Sequence, residues 1–247
     1  MAKRGRNQGS GNAQRPRFWG RHAVEAALAN PERVVRKLWA TRAASEHLTL
    51  PKDLAVVLAD VADLGRMVPA DAPHQGLVAE VDPLEDVWLS DILAQDEGGP
   101  ILVLDQVTDP HNVGAVLRSA AAFGAAAIVT QDRHAPVEGG ALAKAASGAL
   151  ELVPWARVVN LSRALEEMAE AGYWRIGLAG ETDMTLEAAF TPGKIALVLG
   201  AEGEGLRHNV AQHCDVLARL PISDRVESLN ISNAAAIALY ATQQRAG

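Results

Sequence analysis

Beyond Pro100 the chain repeats one pattern. Short, largely apolar runs at 101–104, 126–129, 174–179 and 195–199 alternate with helix-like segments at 113–123, 161–171, 206–213 and 231–244. Apolar runs that do not alternate with polar residues belong to strands buried on both faces, and strands spaced by helices build a parallel sheet covered by those helices. The expected class is therefore α/β. In such sheets ligands bind beyond the carboxyl ends of the strands, so the turns leaving 101–104 and 195–199 are where chemistry is expected. Ahead of this region, a helix at 21–29 closed by Pro31 and strands at 34–40, 55–58 and 76–81 suggest a small α/β domain over 18–81. Residues 82–99 are acidic, hold Pro83 and Gly98-Gly99, and read as a linker with a short helix at 89–94. The larger domain then fills 100–247.

Charge argues at first against a nucleic-acid partner, since the formal net charge is −7. Its distribution reverses that inference. Lys3, Arg4, Arg6, Arg15 and Arg17 stand among the first 20 residues without an acidic one, and the remainder carries 18 basic against 30 acidic side chains. Residues 1–17 are expected to form a disordered basic arm, either a handle for phosphate backbones or a solvated tail. No apolar run approaches the roughly 20 residues of a membrane-spanning helix. A single cysteine, Cys214, forbids an intrachain disulfide and fits a cytoplasmic protein. The scattered histidines show no metal-ligand spacing, and no metal is expected.

Three segments carry candidate chemistry. The first, Asp105-Gln106-Val107-Thr108-Asp109-Pro110-His111-Asn112-Val113-Gly114, leaves a strand and enters a helix, with Asn112 read as the N-cap and Gly124 as the stop. Val113, Val116, Leu117 and Ala120 define an apolar stripe, and Arg118 falls on the opposite side. The second, Gly200-Ala201-Glu202-Gly203-Glu204-Gly205-Leu206, is a glycine loop whose order is neither the dinucleotide fingerprint nor a Walker A loop. Its two carboxylates would repel a phosphate, so it suits another kind of ligand, or is a plain tight turn. The third runs from Leu220-Pro221-Ile222 to Ser228-Leu229-Asn230 before an Ala-rich helix. Ser228 and Asn230 either cap that helix or present a hydroxyl and an amide to a ligand.

Taken in this order and spacing, the segments D-x-V-x-D-P-x-N-V-G-A-x-x-R-S-A, G-A-E-G-E-G-L and L-P-I-x-x-x-V-x-S-L-N-I-S-x-A resemble the three motifs of the SpoU/TrmH class of RNA ribose 2′-O-methyltransferases, in the SPOUT superfamily. Trp19-Gly20-Arg21-His22-Ala23-Val24 and His74-Gln75-Gly76-Leu77 resemble the L30e-like substrate-binding domain joined to many such enzymes, and Lys144-Ala145-Ala146-Ser147-Gly148-Ala149 resembles a segment between the first two motifs. The resemblance implies S-adenosylmethionine as methyl donor, a trefoil-knotted catalytic domain, and a homodimer with its site at the subunit interface. By motif position, Gly200, Ala201, Leu220, Ile222, Ser228 and Leu229 would hold the cofactor. Asn112, Arg118, Glu202, Ser228 and Asn230 would act on the substrate. Ser223-Asp224-Arg225 departs from the small glycine-containing turn usual there.

The family assigns the position of Arg118 the part of a base. A guanidinium stays protonated in almost any protein site, so the role read for Arg118 is to orient a phosphate and stabilise alkoxide charge. The adjacent His213, Cys214 and Asp215 do not form a triad, because consecutive side chains do not converge. The domain pair most resembles the enzymes that methylate a guanosine of 23S rRNA. A tRNA ribose methyltransferase, a catalytically silent RNA-binding protein and a small-molecule enzyme on a doubly wound sheet are the alternatives.

Overall fold

A computed structural model describes residues 15–95, 98–223 and 225–245. Its first unit comprises β1 (Arg17–Trp19), α1 (Arg21–Ala29), β2 (Val35–Ala40), α2 (Arg42–Ser45), β3 (Val56–Leu58), α3 (Val61–Gly65) and β4 (Leu77–Val81). The four strands form one mixed sheet in the order β1-β4-β2-β3, with β4 antiparallel to both neighbours. Side chains alternate across it, as the pleat requires. Leu38, Ala40, Leu77 and Ala79 enter the main core, whereas Trp19, Trp39 and Val78 form a second cluster with Leu64 of α3.

Residues 15–17, expected to belong to the basic arm, join the first unit instead. Arg15 bonds to Asp82 at 2.8 Å, the Val81 amide donates to the Pro16 carbonyl at 3.1 Å, and Arg17 opens β1 opposite Glu80. A strand edge that needs backbone partners recruits these residues into the sheet. Residues 1–14 lie outside the described residues. The expected helix in the linker is α4 (Leu89–Leu93), whose Leu89 and Ile92 are buried beside Ile101 and Val103 of the second unit.

The second unit continues β5 (Ile101–Asp105), α5 (Pro110–Ala122), β6 (Ala127–Gln131), α6 (Gly140–Ala146), a 3-10 turn at Ala149–Glu151, β7 (Trp155–Val158), α7 (Leu161–Glu170), β8 (Trp174–Leu178), α8 (Leu186–Ala189), β9 (Ile195–Gly200), α9 (His208–Ala211), β10 (Val216–Ala218) and α10 (Ile231–Arg245). All six strands are parallel, in the order β10-β8-β9-β5-β6-β7. The buried strands β5, β6 and β9 lie between α5, α6 and α10 on one face and α4 and α7 on the other. The edge strands β7 and β10 carry too few apolar residues to be seen in the hydropathy pattern. β7 is fixed instead by a buried hydrogen bond from Trp155 Nε1 to Thr130 Oγ1 at 2.8 Å. The helix expected over 206–213 shrinks to the four residues of α9, since Arg207 is held in an extended conformation before it.

One core runs through both units, joining Phe18 and Leu38 to Leu142 and Leu150. Gly140 opens α6 directly against Trp19, where a Cβ would lie 1.8 Å from the indole. Beside this contact the guanidinium of Arg33 is fully buried. It donates to Glu151 Oε1 at 2.8 Å and to the Asp82 carbonyl at 2.8 Å, pairs with Glu138, and lies 5.0 Å from the Phe18 ring centroid. Burial pushes the Glu138 carboxyl above its ordinary range, against the opposing pull of Arg33. Arg33 thus neutralises two carboxylates of the second unit while anchored in the first. Arg33→Met should lower unfolding stability by about 3–5 kcal/mol, because it leaves Glu138 and Glu151 buried without their partner. Urea unfolding reads this directly, and a loss below about 0.5 kcal/mol, the range of ordinary surface substitutions, would contradict it.

Candidate active site

The neighbours β5 and β9 pair in register from Ile101↔Ala196 to Asp105↔Gly200, so both end at the same height. β5 continues through β6 to β7 on one side, and β9 borders β8 on the other, which makes this pair the switch point of the sheet. In open α/β sheets ligands bind beyond the carboxyl ends of the strands at such a point.

Beyond β5 the chain turns through Gln106, whose φ of 58° is left-handed, and enters α5. The helix does not start at Asn112 as expected. Asp109 is the N-cap, its side chain accepting from the His111 amide at 2.9 Å, and Pro110 occupies the first turn. A proline there lacks only an amide that would be unpaired in any case, so Asp-Pro is the stronger start signal. Asn112 is thereby released from capping and sits in the first turn with its side chain free for other partners. Gly124, with φ of 64°, follows the end of α5 as expected.

Beyond β9 the glycine loop doubles back on itself. The Gly205 amide donates to the Ala201 carbonyl at 2.9 Å, and a Cβ on Gly200 would meet the Gly205 carbonyl carbon at 2.0 Å. Only glycine allows so close an approach of two backbone segments. The loop thereby presents Glu202 outward, toward the start of α10.

At that start Asn230 caps the helix, its Oδ1 accepting from the Ser232 amide at 2.9 Å. Its Nδ2 donates to Asn112 Oδ1 at 3.0 Å and to Glu202 Oε1. The Ile231 amide also donates to Glu202 Oε1, at 3.2 Å. Both hydrogens of the Asn230 amide are thus spent inside the cluster. The Asn112 amide group and Glu202 Oε2 are left with no described partner. The first is a donor and the second an acceptor, a set suited to holding a hydroxyl. Three residues from three separate segments meet here, 118 and 28 positions apart from Asn230.

Arg118 does not join them. It is six residues beyond Asn112 on α5, hence about 9 Å along and about 120° around the helix. It is exposed and bonds to no described residue. Ser228 is exposed, Leu220, Ile222 and Leu229 are half-buried, and the backbone amides of Ser228 and Leu229 donate to no described group. Asp224 lies outside the described residues. The Cys214 thiol is pushed up to about 12 by burial, and its neighbours turn elsewhere: His213 to Glu166, Asp215 to Arg175. Among the described residues no group of three His, Cys, Asp or Glu side chains could hold a metal ion.

The pattern of the SpoU rRNA Methylase family matches residues 99–240. This chain belongs to that family. Residues 18–87 match the RNA 2′-O ribose methyltransferase substrate-binding pattern, which precedes the SpoU region here. Among SpoU relatives, a 23S rRNA (guanosine-2′-O-)-methyltransferase RlmB of Pseudomonas aeruginosa is 39% identical over 240 residues, 92% of this chain and 96% of the relative. One from Vibrio parahaemolyticus is 40% identical over the same length and shares. In fold the chain is similar to the SpoU methyltransferase AviRb of Streptomyces viridochromogenes, solved with AdoMet. The TM-score is 0.79 at 24% identity, over 94% of this chain and 90% of that one. A TrmH-family protein of Porphyromonas gingivalis gives 0.77 at 29%, with the same coverage. Beside the glycine loop Arg207 Nε donates to Asp105 Oδ1 at 2.8 Å, a pairing that sequence reasoning missed.

Proposed function

We propose that this protein transfers a methyl group from S-adenosylmethionine to a ribose 2′-hydroxyl, that of a guanosine in 23S rRNA. The observation that carries the reading is the Asn112–Asn230–Glu202 cluster at the switch point, with its unspent amide donor and carboxylate acceptor. The near full-length relatives named for 23S rRNA support the choice of substrate over tRNA.

The residues fit the donor. A loop beginning at Gly200, whose backbone packs directly on Gly205, and the amides of Ser228 and Leu229, which donate to no described group, offer backbone groups of the kind that hold a nucleoside. Gly200, Ala201, Leu220, Ile222, Ser228 and Leu229 are the residues we assign to it. When bound, S-adenosylmethionine supplies an electrophilic sulfonium methyl. The Asn112 amide donates to a ribose oxygen, and Glu202 Oε2 accepts from the 2′-hydroxyl and takes up its proton as the oxygen gains the methyl. Holding the 2′-oxygen in line with the methyl accounts for as much as about 7–11 kcal/mol of the barrier in well-oriented systems. Arg118, protonated, orients the adjacent phosphate and stabilises charge developing on the oxygen. Exposed Ser228 completes the set.

Arg118 and the Asn112 cluster of one chain face different ways, which favours a homodimer in which each site takes its arginine from the partner. Ile237 and Tyr240, 44% and 54% exposed on α10, give such a dimer an apolar surface next to Phe123. A trefoil knot in the catalytic domain and a cytoplasmic location complete the reading. Among the described residues no helix is long and apolar enough to cross a membrane. The test is methyl transfer into unmodified 23S rRNA in competition with tRNA. Incorporation into the tRNA alone would move the substrate to that class.

A further inference from the structure

The carboxylate of Asp105 has no solvent exposure, although it stands on the last residue of β5, at the carboxyl end of the strand. Three groups of a single residue satisfy it. The Arg207 backbone amide donates to Oδ2 at 3.0 Å, Nε donates to Oδ1 at 2.8 Å, and Nη2 approaches Oδ1 at 2.6 Å. Nη2 also donates to Gln131 Oε1 at 2.9 Å, and Gln131 Nε2 donates to the Val159 carbonyl at 3.1 Å. The guanidinium is therefore fastened across the ends of β5 and β6.

Asp105 is also the register partner of Gly200. One residue thus grips both ends of the glycine loop: its backbone meets the entry at Gly200, and its side chain fixes the exit at Arg207. Between these points lie Ala201 to Leu206, and Glu202 stands within that span. The fork of a guanidinium fixes direction as well as distance, which an ammonium cannot do.

We propose that Asp105 and Arg207 are positioning residues that hold the 200–206 loop in its cofactor-binding shape and set Glu202 against Asn230. This rests on the reading that the loop holds S-adenosylmethionine. A merely structural ion pair would lower stability and weaken every ligand alike. A clamp on this loop should weaken the methyl donor and leave RNA untouched.

The experiment compares the full-length protein with Arg207→Lys, Arg207→Ala and Asp105→Asn. Calorimetric titration with S-adenosylmethionine and filter binding of 23S rRNA give the two affinities. Hydrogen exchange of the 200–206 amides in the ligand-free protein gives the loop itself. Arg207→Ala should raise the dissociation constant for S-adenosylmethionine at least tenfold, keep RNA affinity within twofold, and speed exchange of the loop amides above that of β8. Arg207→Lys should recover part of the donor affinity, and Asp105→Asn should fall between the two. If Arg207→Ala is too unstable to assay, Arg207→Lys carries the comparison with the same expected split. Unchanged donor affinity, or equal loss of donor and RNA affinity without recovery in the lysine variant, would overturn the clamp. A wild-type protein that binds no S-adenosylmethionine would instead overturn the functional reading beneath it.

Discussion

Asn230→Asp should leave the protein folded and cost at least about a hundredfold in methyl transfer, the scale of losing one preorganised donor in a site that stabilises charge. Aspartate caps a helix as well as asparagine does, so the bond to the Ser232 amide survives and α10 should be unaffected. What disappears is the amide group that donates to Asn112 and to Glu202 at once. A second carboxylate beside that of Glu202 replaces attraction by repulsion. Asn230→Ala should lose as much activity and in addition about 1 kcal/mol of stability, through the missing cap. Arg118→Ala separates chemistry from folding in another way. The side chain is exposed and makes no bond to a described residue, so stability should change by no more than about 0.5 kcal/mol. Its transfer rate should nevertheless drop by two orders of magnitude or more, by the same electrostatic argument. Donor affinity measured by calorimetry should persist in all three variants. Activity within a few-fold of wild type in Asn230→Asp would show that the cluster is a helix cap and nothing more.

Gly200→Ala attacks the site from the other side. The new Cβ would lie 2.0 Å from the Gly205 carbonyl carbon, 2.1 Å from its oxygen and 2.4 Å from the Leu206 nitrogen. All three are backbone atoms, so no side chain can rotate away and the loop itself must open. Overpacking of this kind costs about 1–3 kcal/mol of stability. The functional loss should exceed it in consequence, because an opened loop carries Glu202 away from Asn230 and spoils the donor pocket together. At least about tenfold in donor affinity is expected, the equivalent of roughly 1.4 kcal/mol. Gly203→Ala is the control. Its φ of 80° strains any side chain, but nothing lies within 4 Å of the added carbon. It should cost about 1 kcal/mol or somewhat more in stability, with the loop closed and donor affinity kept. Equal loss of donor affinity in the two variants would mean that loop closure at Gly200 does not shape the pocket.

Much of the fold was legible because its signals are local. The runs that became β5, β6 and β9 are apolar on both faces, that of β8 is broken by Arg175 alone, and the stripe of α5 follows the helical period residue by residue. The elements that escaped are those whose reason lies elsewhere in the chain. β7 holds through Trp155 bonding to Thr130, and α9 is short because Arg207 is held by Asp105. Asn112 was misread as a cap for a different reason: Asp109-Pro110 three residues upstream is the stronger helix start, and cap residues compete. As for the site, periodicity could show only that Arg118 avoids the core. That Asn112, Glu202 and Asn230 belong together was visible through the family resemblance, since hydrogen bonds spanning 118 and 28 residues leave no local trace. The Asp105 clamp, spanning 102 residues, left none either.

One assay reads ribose methylation of 23S rRNA without an intermediate step. Purified protein is incubated with methyl-labelled S-adenosylmethionine and 23S rRNA lacking its modifications, and the product is hydrolysed in alkali. A methylated 2′-oxygen can no longer attack its neighbouring phosphate, so the label should emerge in an alkali-resistant dinucleotide whose 5′ residue is guanosine. Label released in mononucleotides, carried on a base, would contradict the account.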